Sequence, residues 1–401
     1  MLSMSSLKIV YFSFGDKQYN KPMSKVGIIT IHRIHNYGSV LQAYALQQVC
    51  EDLGYQTEII DYLFPNNFQS DNKYQTAGDT QPNEPKWIKM LFGLSLMRQH
   101  KGIDSFVANH LHLSQTSYTS PDALMDHPPH YDVYMTGSDQ VWSPRHTNGD
   151  PAFMLHFAPN DKLKVAYAAS ICASKIPTEL QQGYSDLLRR YQYVSVREAS
   201  GRGLLKKLIG KEAQVVLDPT LLLNNDEWNK LATVKRLVRK PYILCYFLNY
   251  SFNAFPYVDD LAADMQRQTG YDIVRVARPP HKLNLCGSVY RIGASPEEFL
   301  ALVRDAELVL TTSFHGTAFA VNYGRPVFTV VKEKESGDSR QMNLMKSLGL
   351  EDKVLTISDA FPNATSSHYD YRIEQQRLDM LRKESTRFLT NSLSYEQNST
   401  L

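Results

Sequence analysis

Three residues stand where chemistry is easiest to build: His315, Asp139 and Arg197. In "LVLTTSFHGTAFAVNYGRPVFTV" (308–330) an apolar run stops at Thr-Thr-Ser, and His315 and Gly316 stand before a second apolar run. Free N–H groups at a helix start favour an anion. A histidine there can donate hydrogen bonds and shuttle protons near its reference pKa of about 6.5. Gly316 would let the backbone turn tightly or approach a ligand. A histidine that only caps or packs fits the same spacing. In "TGSDQVW", Asp139 follows Gly137 and Ser138 and could orient or deprotonate a hydroxyl, or simply cap a helix. In "YVSVRE", Arg197 could grip a carboxylate or phosphate with its planar fork, or pair with Glu198. Asn36, Tyr37, Gly38 and Ser39 form a further loop. Its glycine could admit a phosphate or sugar, but it is not G-x-G-x-x-G, and Asn36 or Ser39 would serve equally as a plain helix cap. Arg340, in "GDSRQMNLMKSLGL", is another anion candidate or a solvated arginine.

These groups need elements to hold them. "VGIITIH" (26–32) is a short β-branched run and predicts a buried strand. Leu41, Tyr44, Ala45, Val49 and Leu53 then fall at helical spacing with Gly54 as the stop, and "QTEIIDY" predicts a second strand. This is a βαβ unit, so a parallel sheet is expected. Further strands are expected at 131–137, 164–170, 193–198 and 213–223, the last ending at Pro219. The second half repeats the alternation, with "YILCYFL", "YDIVRVA", "ELVLTT" and "PVFTVV" as strands. "SPEEFLALVRDA" is a helix whose Ser295, Pro296 and Glu298 suit a capped first turn. The tail "RIEQQRLDMLRKESTRFL" predicts a charged amphipathic helix. If the strands are parallel, the polar loops after five of them line one cleft, where ligands bind in open α/β sheets.

At 401 residues the chain exceeds one ordinary core, and two domains of about 150–200 residues are expected. The division reads as an N-terminal extension over 1–23, a first Rossmann-like domain over 24–225, a second over 236–350, and a tail with a helix over 351–401. Residues 1–22 read as upstream of a natural start at Met23, and 65–85 as an aperiodic polar loop. A hydrophobic content of 43%, a charged content of 21% and a net charge of +2 suit a globular protein and argue against a duplex nucleic-acid binder. Cys50, Cys172, Cys245 and Cys286 are widely spaced, which argues against zinc and a disulfide framework and for a reduced, cytoplasmic setting. No apolar run of about 18 residues is present, so no membrane span is expected. "KWIKMLFGLSLMRQHK" (Lys86–Lys101) is apolar with basic ends. It reads either as a helix on a membrane surface, with Trp87, Leu91, Phe92 and Leu94 turned to the lipid, or as a core or lid helix.

Taken together and in order, "NYGSVLQAYAL", "TGSDQVW", "YAAS", "SVRE", "VLDPTLLL" and "TSFHGTAFAVNYGRP" resemble the polysaccharide pyruvyl transferase family over roughly residues 24–350. The resemblance implies an α/β chain of two Rossmann-like domains with mainly parallel sheets, GT-B-like, with a cleft between them. It implies phosphoenolpyruvate as donor substrate, no cofactor and no metal, and a pyruvate ketal bridging two sugar hydroxyls as product, in cell-surface or capsular polysaccharide biosynthesis. His315 matches the family's donor-site histidine and Arg197 its donor-site arginine. Some relatives carry a basic residue two positions before that histidine, where this chain has Ser313. Arg340 or a helix N-terminus would then supply the anion contact. The expected site is His315 and Asp139 for catalysis, with Arg197, Asn36, Tyr37, Gly38, Ser138, Ser313, Gly316 and Arg340 binding substrate. The expected partner is a glycan or lipid-linked oligosaccharide at the inner membrane face. A nucleotide-sugar glycosyltransferase and a non-catalytic glycan-binding relative remain alternatives.

Overall fold

The computed structural model describes residues 24–64, 86–248, 252–278, 288–334 and 340–398. The expected extension at 1–23 and the loop at 65–85 lie outside them. The first unit is built from β1 (Lys25–Ile29), α1 (Tyr37–Asp52), β2 (Gln56–Tyr62), α2 (Lys86–His110), β3 (Leu113–Tyr118), β4 (Val133–Thr136), β5 (Leu163–Ala169), β6 (Tyr193–Val196), α3 (Ala199–Ile209) and β7 (Gln214–Val215). Its sheet runs β3-β2-β1-β4-β5-β6-β7, every pairing parallel. The second unit holds β8 (Tyr242–Tyr246), β9 (Asp272–Val276), β10 (Ser288–Arg291), α4 (Pro296–Arg304), β11 (Leu308–Thr311), α5 (Phe314–Asn322), β12 (Val327–Val331), α6 (Arg340–Leu348) and β13 (Val354–Thr356). Its sheet runs β10-β9-β8-β11-β12-β13, again parallel. The long α7 (Tyr371–Asn398) closes the chain.

This is the expected α/β class: two Rossmann-like units, each with a parallel sheet. The strands are buried on both faces, as helix-covered parallel sheets require, which is why β4, β5 and β11 are buried throughout. In both sheets the strand order reverses beside the first strand, at β1/β4 and at β8/β11, and ligand sites sit at such points.

Two expectations change. The strand expected over 213–223 is only the two-residue β7, followed by a 3₁₀ turn at Pro219–Leu221. Pro219 lacks the N–H a ladder needs, and Asp218 caps the turn by accepting from the Thr220 N–H at 3.0 Å. The second sheet also reaches β13, inside the stretch read as tail, because β13 pairs with β12.

The units are stitched together by aromatic packing and by α2 and α7. Tyr37 of α1 stacks on Phe299 of α4 with centroids 4.6 Å apart, and its hydroxyl donates to the Ala294 carbonyl at 2.6 Å. Gln99 of α2 donates to the Tyr37 hydroxyl at 2.9 Å and to the Ala277 carbonyl at 3.2 Å. On α7, Arg382 donates through Nε to the Leu221 carbonyl and through Nη2 to Asn322 Oδ1, both at 2.7 Å. The Leu217 N–H donates to Ser385 Oγ at 2.9 Å. The C-terminal helix therefore reaches back to the first unit.

One buried acid on α7 makes stability depend on pH. Glu374 is 2% exposed, its Oε1 lacks a hydrogen-bond partner, and burial pushes its carboxyl from the ordinary 4.5 up to about 7. The unfolded chain releases that proton near the ordinary value, so the fold binds more protons between the two. Stability then falls as pH rises from about 4.5 through 7. Glu374→Gln is expected to remove about 2–3 kcal/mol of that decline between pH 5 and pH 8. Urea unfolding of both proteins at the two pH values measures it, and equal declines would exonerate Glu374.

Candidate active site

The loops after β1, β4, β6 and β11 converge where the two units touch, and the converging side chains are charged and almost wholly buried. Arg197 leaves β6 with 5% exposure, and His315 sits in the first turn of α5 with 6%. Between them lies Asp218, which is 1% exposed. Its Oδ2 accepts from Arg197 Nη1 at 2.7 Å and from Ser138 Oγ at 3.0 Å, and lies 3.7 Å from His315 Nε2. Its Oδ1 accepts from Thr220 Oγ1 at 2.7 Å. Asp139 stands on the other side of the guanidinium, with Oδ1 3.5 Å from Arg197 Nη2. Asp139 also accepts from Ser39 Oγ at 2.7 Å and from the Gln140 N–H at 2.9 Å.

The backbone is bent to bring these groups in. Asp139 has φ 76° and Ala168 φ 52°, both in the left-handed region that costs a non-glycine residue about 1–3 kcal/mol. The bend at Ala168 coincides with a register shift between β5 and β6. It aims the Ala168 carbonyl at Ser138 Oγ, 3.0 Å away, and the Ala168 N–H donates to Ser195 Oγ at 3.0 Å.

Burial raises both aspartates, but the charges and hydrogen bonds around them outweigh it. The charges of Arg197 and His315, with the Ser39 hydrogen bond, hold Asp139 below the usual carboxylate range. His315, Arg197 and Thr220 hold Asp218 far below it. Both are therefore anions at neutral pH and weak bases. Asp218→Asn would leave the buried guanidinium with Asp139, 3.5 Å away, as its ion-pair partner and is expected to lose roughly 3–5 kcal/mol of stability in urea unfolding at pH 7. A midpoint equal to the parent's would show that Asp139 alone satisfies Arg197. Because the folded pKa is depressed, the parent's contribution from Asp218 persists at neutral pH and is lost only as pH falls through the acid range.

Three buried donor atoms of this cluster have no hydrogen-bond partner: Arg197 Nε, Arg197 Nη2 and His315 Nε2. Gln140 Nε2, one residue after Asp139, is in the same condition. Unpaired buried donors are costly, and each calls for an explanation such as a water, an ion or a catalytic role. The arginine is also packed against carbon: its guanidinium lies 4.7 Å from the Phe314 ring centroid, and that of Arg340 lies 5.7 Å from the same ring. Gln341 fixes the start of α6 by donating to the Thr312 carbonyl at 3.0 Å. Arg340 is thus brought beside Phe314, the residue preceding His315.

Several expected binding residues are committed elsewhere. Asn36 caps α1 by accepting from the Gly38 N–H at 2.8 Å, and Ser313 caps α5 by accepting from the Gly316 N–H at 3.3 Å. The single Ser138 hydroxyl proton lies between the Ala168 carbonyl and Asp218 Oδ2, each 3.0 Å from Oγ, and Tyr37 holds the units together. Gly316 does not clear space for a ligand. A Cβ there would lie 2.3 Å from Thr311 Oγ1 and 2.8 Å from a Tyr246 ring carbon, so the glycine admits protein. Gly38 likewise admits no phosphate at its α-carbon: a Cβ would lie 2.0 Å from His315 Nδ1. The imidazole of the second unit rests on the bare backbone of the first. Glu198 does not pair with Arg197; its Oε1 accepts from Ser170 Oγ and from the Ile171 and Cys172 N–H groups.

Asp218 is the residue that sequence reasoning missed. Its signal was the Asp-Pro-Thr within "VLDPTLLL", an aspartate capping a turn at a strand end. A cavity of about 190 Å³ opens beside the cluster, lined among others by His35, Asn36, Tyr37, His100, Tyr246 and Arg278. His35 and His100 stack at its edge with centroids 3.9 Å apart.

A family model described as polysaccharide pyruvyl transferase matches residues 36–331, which spans every residue of the cluster except Arg340. The chain belongs to the polysaccharide pyruvyl transferase family. It is thus a member of a transferase family, and Asp139, Arg197, Asp218 and His315 all fall inside the matched region. No curated protein matches the chain. Among solved structures, UDP-GlcNAc 2-epimerase of Methanocaldococcus jannaschii is similar at TM-score 0.49 and 14% identity, over 92% of this chain and 99% of that one. E. coli heptosyltransferase WaaC is similar at TM-score 0.39 and 11% identity, over 89% of this chain and 99% of that one. Spinosyn rhamnosyltransferase SpnG is similar at TM-score 0.42 and 13% identity, over 92% of this chain and 96% of that one.

Proposed function

We propose that this pyruvyl transferase family member moves the enolpyruvyl group of phosphoenolpyruvate onto two hydroxyls of one sugar in a glycan intermediate, forming a pyruvate ketal and releasing phosphate. The observation that carries the reading is the set of unpartnered buried donors, Arg197 Nε and Nη2 and His315 Nε2, gathered inside the region matched to the family.

Phosphoenolpyruvate presents a carboxylate and a phosphate on an enol carbon. Arg197 offers one of these anions two donors in a fixed plane, with Arg340 adding positive charge nearby. Protonating the methylene carbon makes C2 electrophilic. One sugar hydroxyl adds to C2, the C2–O bond to phosphate breaks, and the second hydroxyl closes the ring. Of the two hydroxyl protons, one replaces the proton given to the methylene carbon and the other leaves with phosphate.

His315 is the proton donor in this scheme. Once neutral, it can take a proton back from an incoming hydroxyl. Asp139 orients Ser39 and the guanidinium. Asp218 positions His315 and Arg197 relative to each other.

The test is phosphate release from phosphoenolpyruvate over a panel of sugar acceptors, with mass spectrometry of the acceptor. Pyruvyl addition with stoichiometric phosphate supports the proposal. Hexose addition from a nucleotide sugar, or tight glycan binding without phosphate release, would replace it with a glycosyltransferase or a binding protein.

A further inference from the structure

We propose that α2 seats the protein on an anionic phospholipid surface, independently of the chemistry assigned above. Trp87, Met90, Leu91, Leu94 and Met97 are between 54% and 88% exposed, on a helix whose other face is core. At 100° per residue these five fall within an arc of about 120°. Phe92, Gln99, Ile103, Phe106 and Val107 are buried on the opposite side. Phe92, expected on the lipid side, packs instead with Ile292, because two faces of one helix cannot both look outward. Scattered exposed apolar residues need no explanation, but five aligned large ones mark an interaction face.

The occupant follows from charge and length. No acidic residue occurs from Lys86 to Ile103, and Lys86 and Lys101 are exposed. Lysine stems can lie along an apolar surface while their heads reach phosphates. A two-fold pairing with a second copy would set these cations against one another with no acid on the stripe to answer them. An anionic headgroup layer supplies both the negative charge and the apolar layer beneath it. Among the described residues no helix is long and apolar enough to cross a membrane, so α2 lies on the surface. The helix is also anchored to both units: Arg98 pairs with Glu298 of α4 at 2.7 Å, while Leu96, Gln99 and His100 line the cavity beside the catalytic cluster. A surface engaged by the stripe would therefore lie on the far side of the helix that walls that cavity.

Trp87 supplies the readout. The chain has three tryptophans, and Trp142 and Trp228 are fully buried, so a fluorescence change on adding vesicles reports Trp87. Full-length protein is mixed with phosphatidylcholine vesicles or with vesicles containing phosphatidylglycerol, then floated on a density gradient. Flotation and a blue shift are expected with phosphatidylglycerol, weakening as salt rises. Leu94→Glu and Met90→Glu are expected to lower vesicle partitioning about tenfold or more with unchanged circular dichroism. Lys86→Glu with Lys101→Glu should abolish the preference for the anionic vesicles. Absence of flotation, or flotation that the stripe variants leave unchanged, overturns the proposal. So does a Trp87 already shielded from acrylamide before vesicles are added, which assigns the face to the chain itself. A dimer dissolved by Leu94→Glu assigns it to a second copy and overturns the proposal equally.

Discussion

Replacing His315 with alanine is expected to lower phosphoenolpyruvate-dependent phosphate release by about 10²–10⁴-fold, the range for one positioned general acid. The side chain is well placed for so large an effect. It is 6% exposed, its Nδ1 edge rests against Gly38, and its Nε2 lies 3.7 Å from Asp218 without a hydrogen-bond partner. Thermal unfolding is measured beside turnover, because the substitution also removes the ring that helps hold Asp218 as an anion. Measuring release against acceptor and donor concentration separates the roles. A fall in kcat at little-changed KM fits proton transfer, whereas a rise in KM alone would make His315 a donor-binding group. Turnover near that of the parent would remove it from the mechanism.

The second large effect is expected from a single methyl group. Gly38→Ala places a Cβ 2.0 Å from His315 Nδ1, which no packed pair tolerates. The ring or the backbone of α1 must retreat by about 1.5 Å to reach ordinary contact. A shift of about 1 Å in a reacting group costs about 10²-fold, so Gly38→Ala should lose that much or more of kcat without replacing any residue of the proposed chemistry. Its companion measurement is thermal unfolding, which separates a displaced ring from a destabilised fold. A variant with the parent's rate would show that the two units can slide apart at this contact.

Much of the fold was legible because it is periodic. Alternating β-branched runs and amphipathic helices from Val26 onward implied βαβ units, and parallel pairing placed the polar loops at one end of each sheet. The candidates His315, Arg197 and Asp139 were legible for the same reason, since each stands in the segment that follows a strand. β7 was overestimated because "AQVVLDPTLLL" has strand composition while Pro219 and Asp218 turn the chain. β13 was overlooked because three residues carry too little pattern to register.

The sequence by itself determined the two α/β units, the family and the loops from which a site is assembled, because helix and strand periods and ordered motifs are local properties of the chain. The tertiary structure decided what those loops do to one another. It placed Asp218 between Arg197 and His315, made Gly38 the seat of the imidazole and Gly316 the neighbour of Tyr246. It also turned one face of α2 to the core and the other to the outside. Each of these depends on which surfaces meet when residues far apart in the chain are packed together, and no spacing within a single segment encodes that choice.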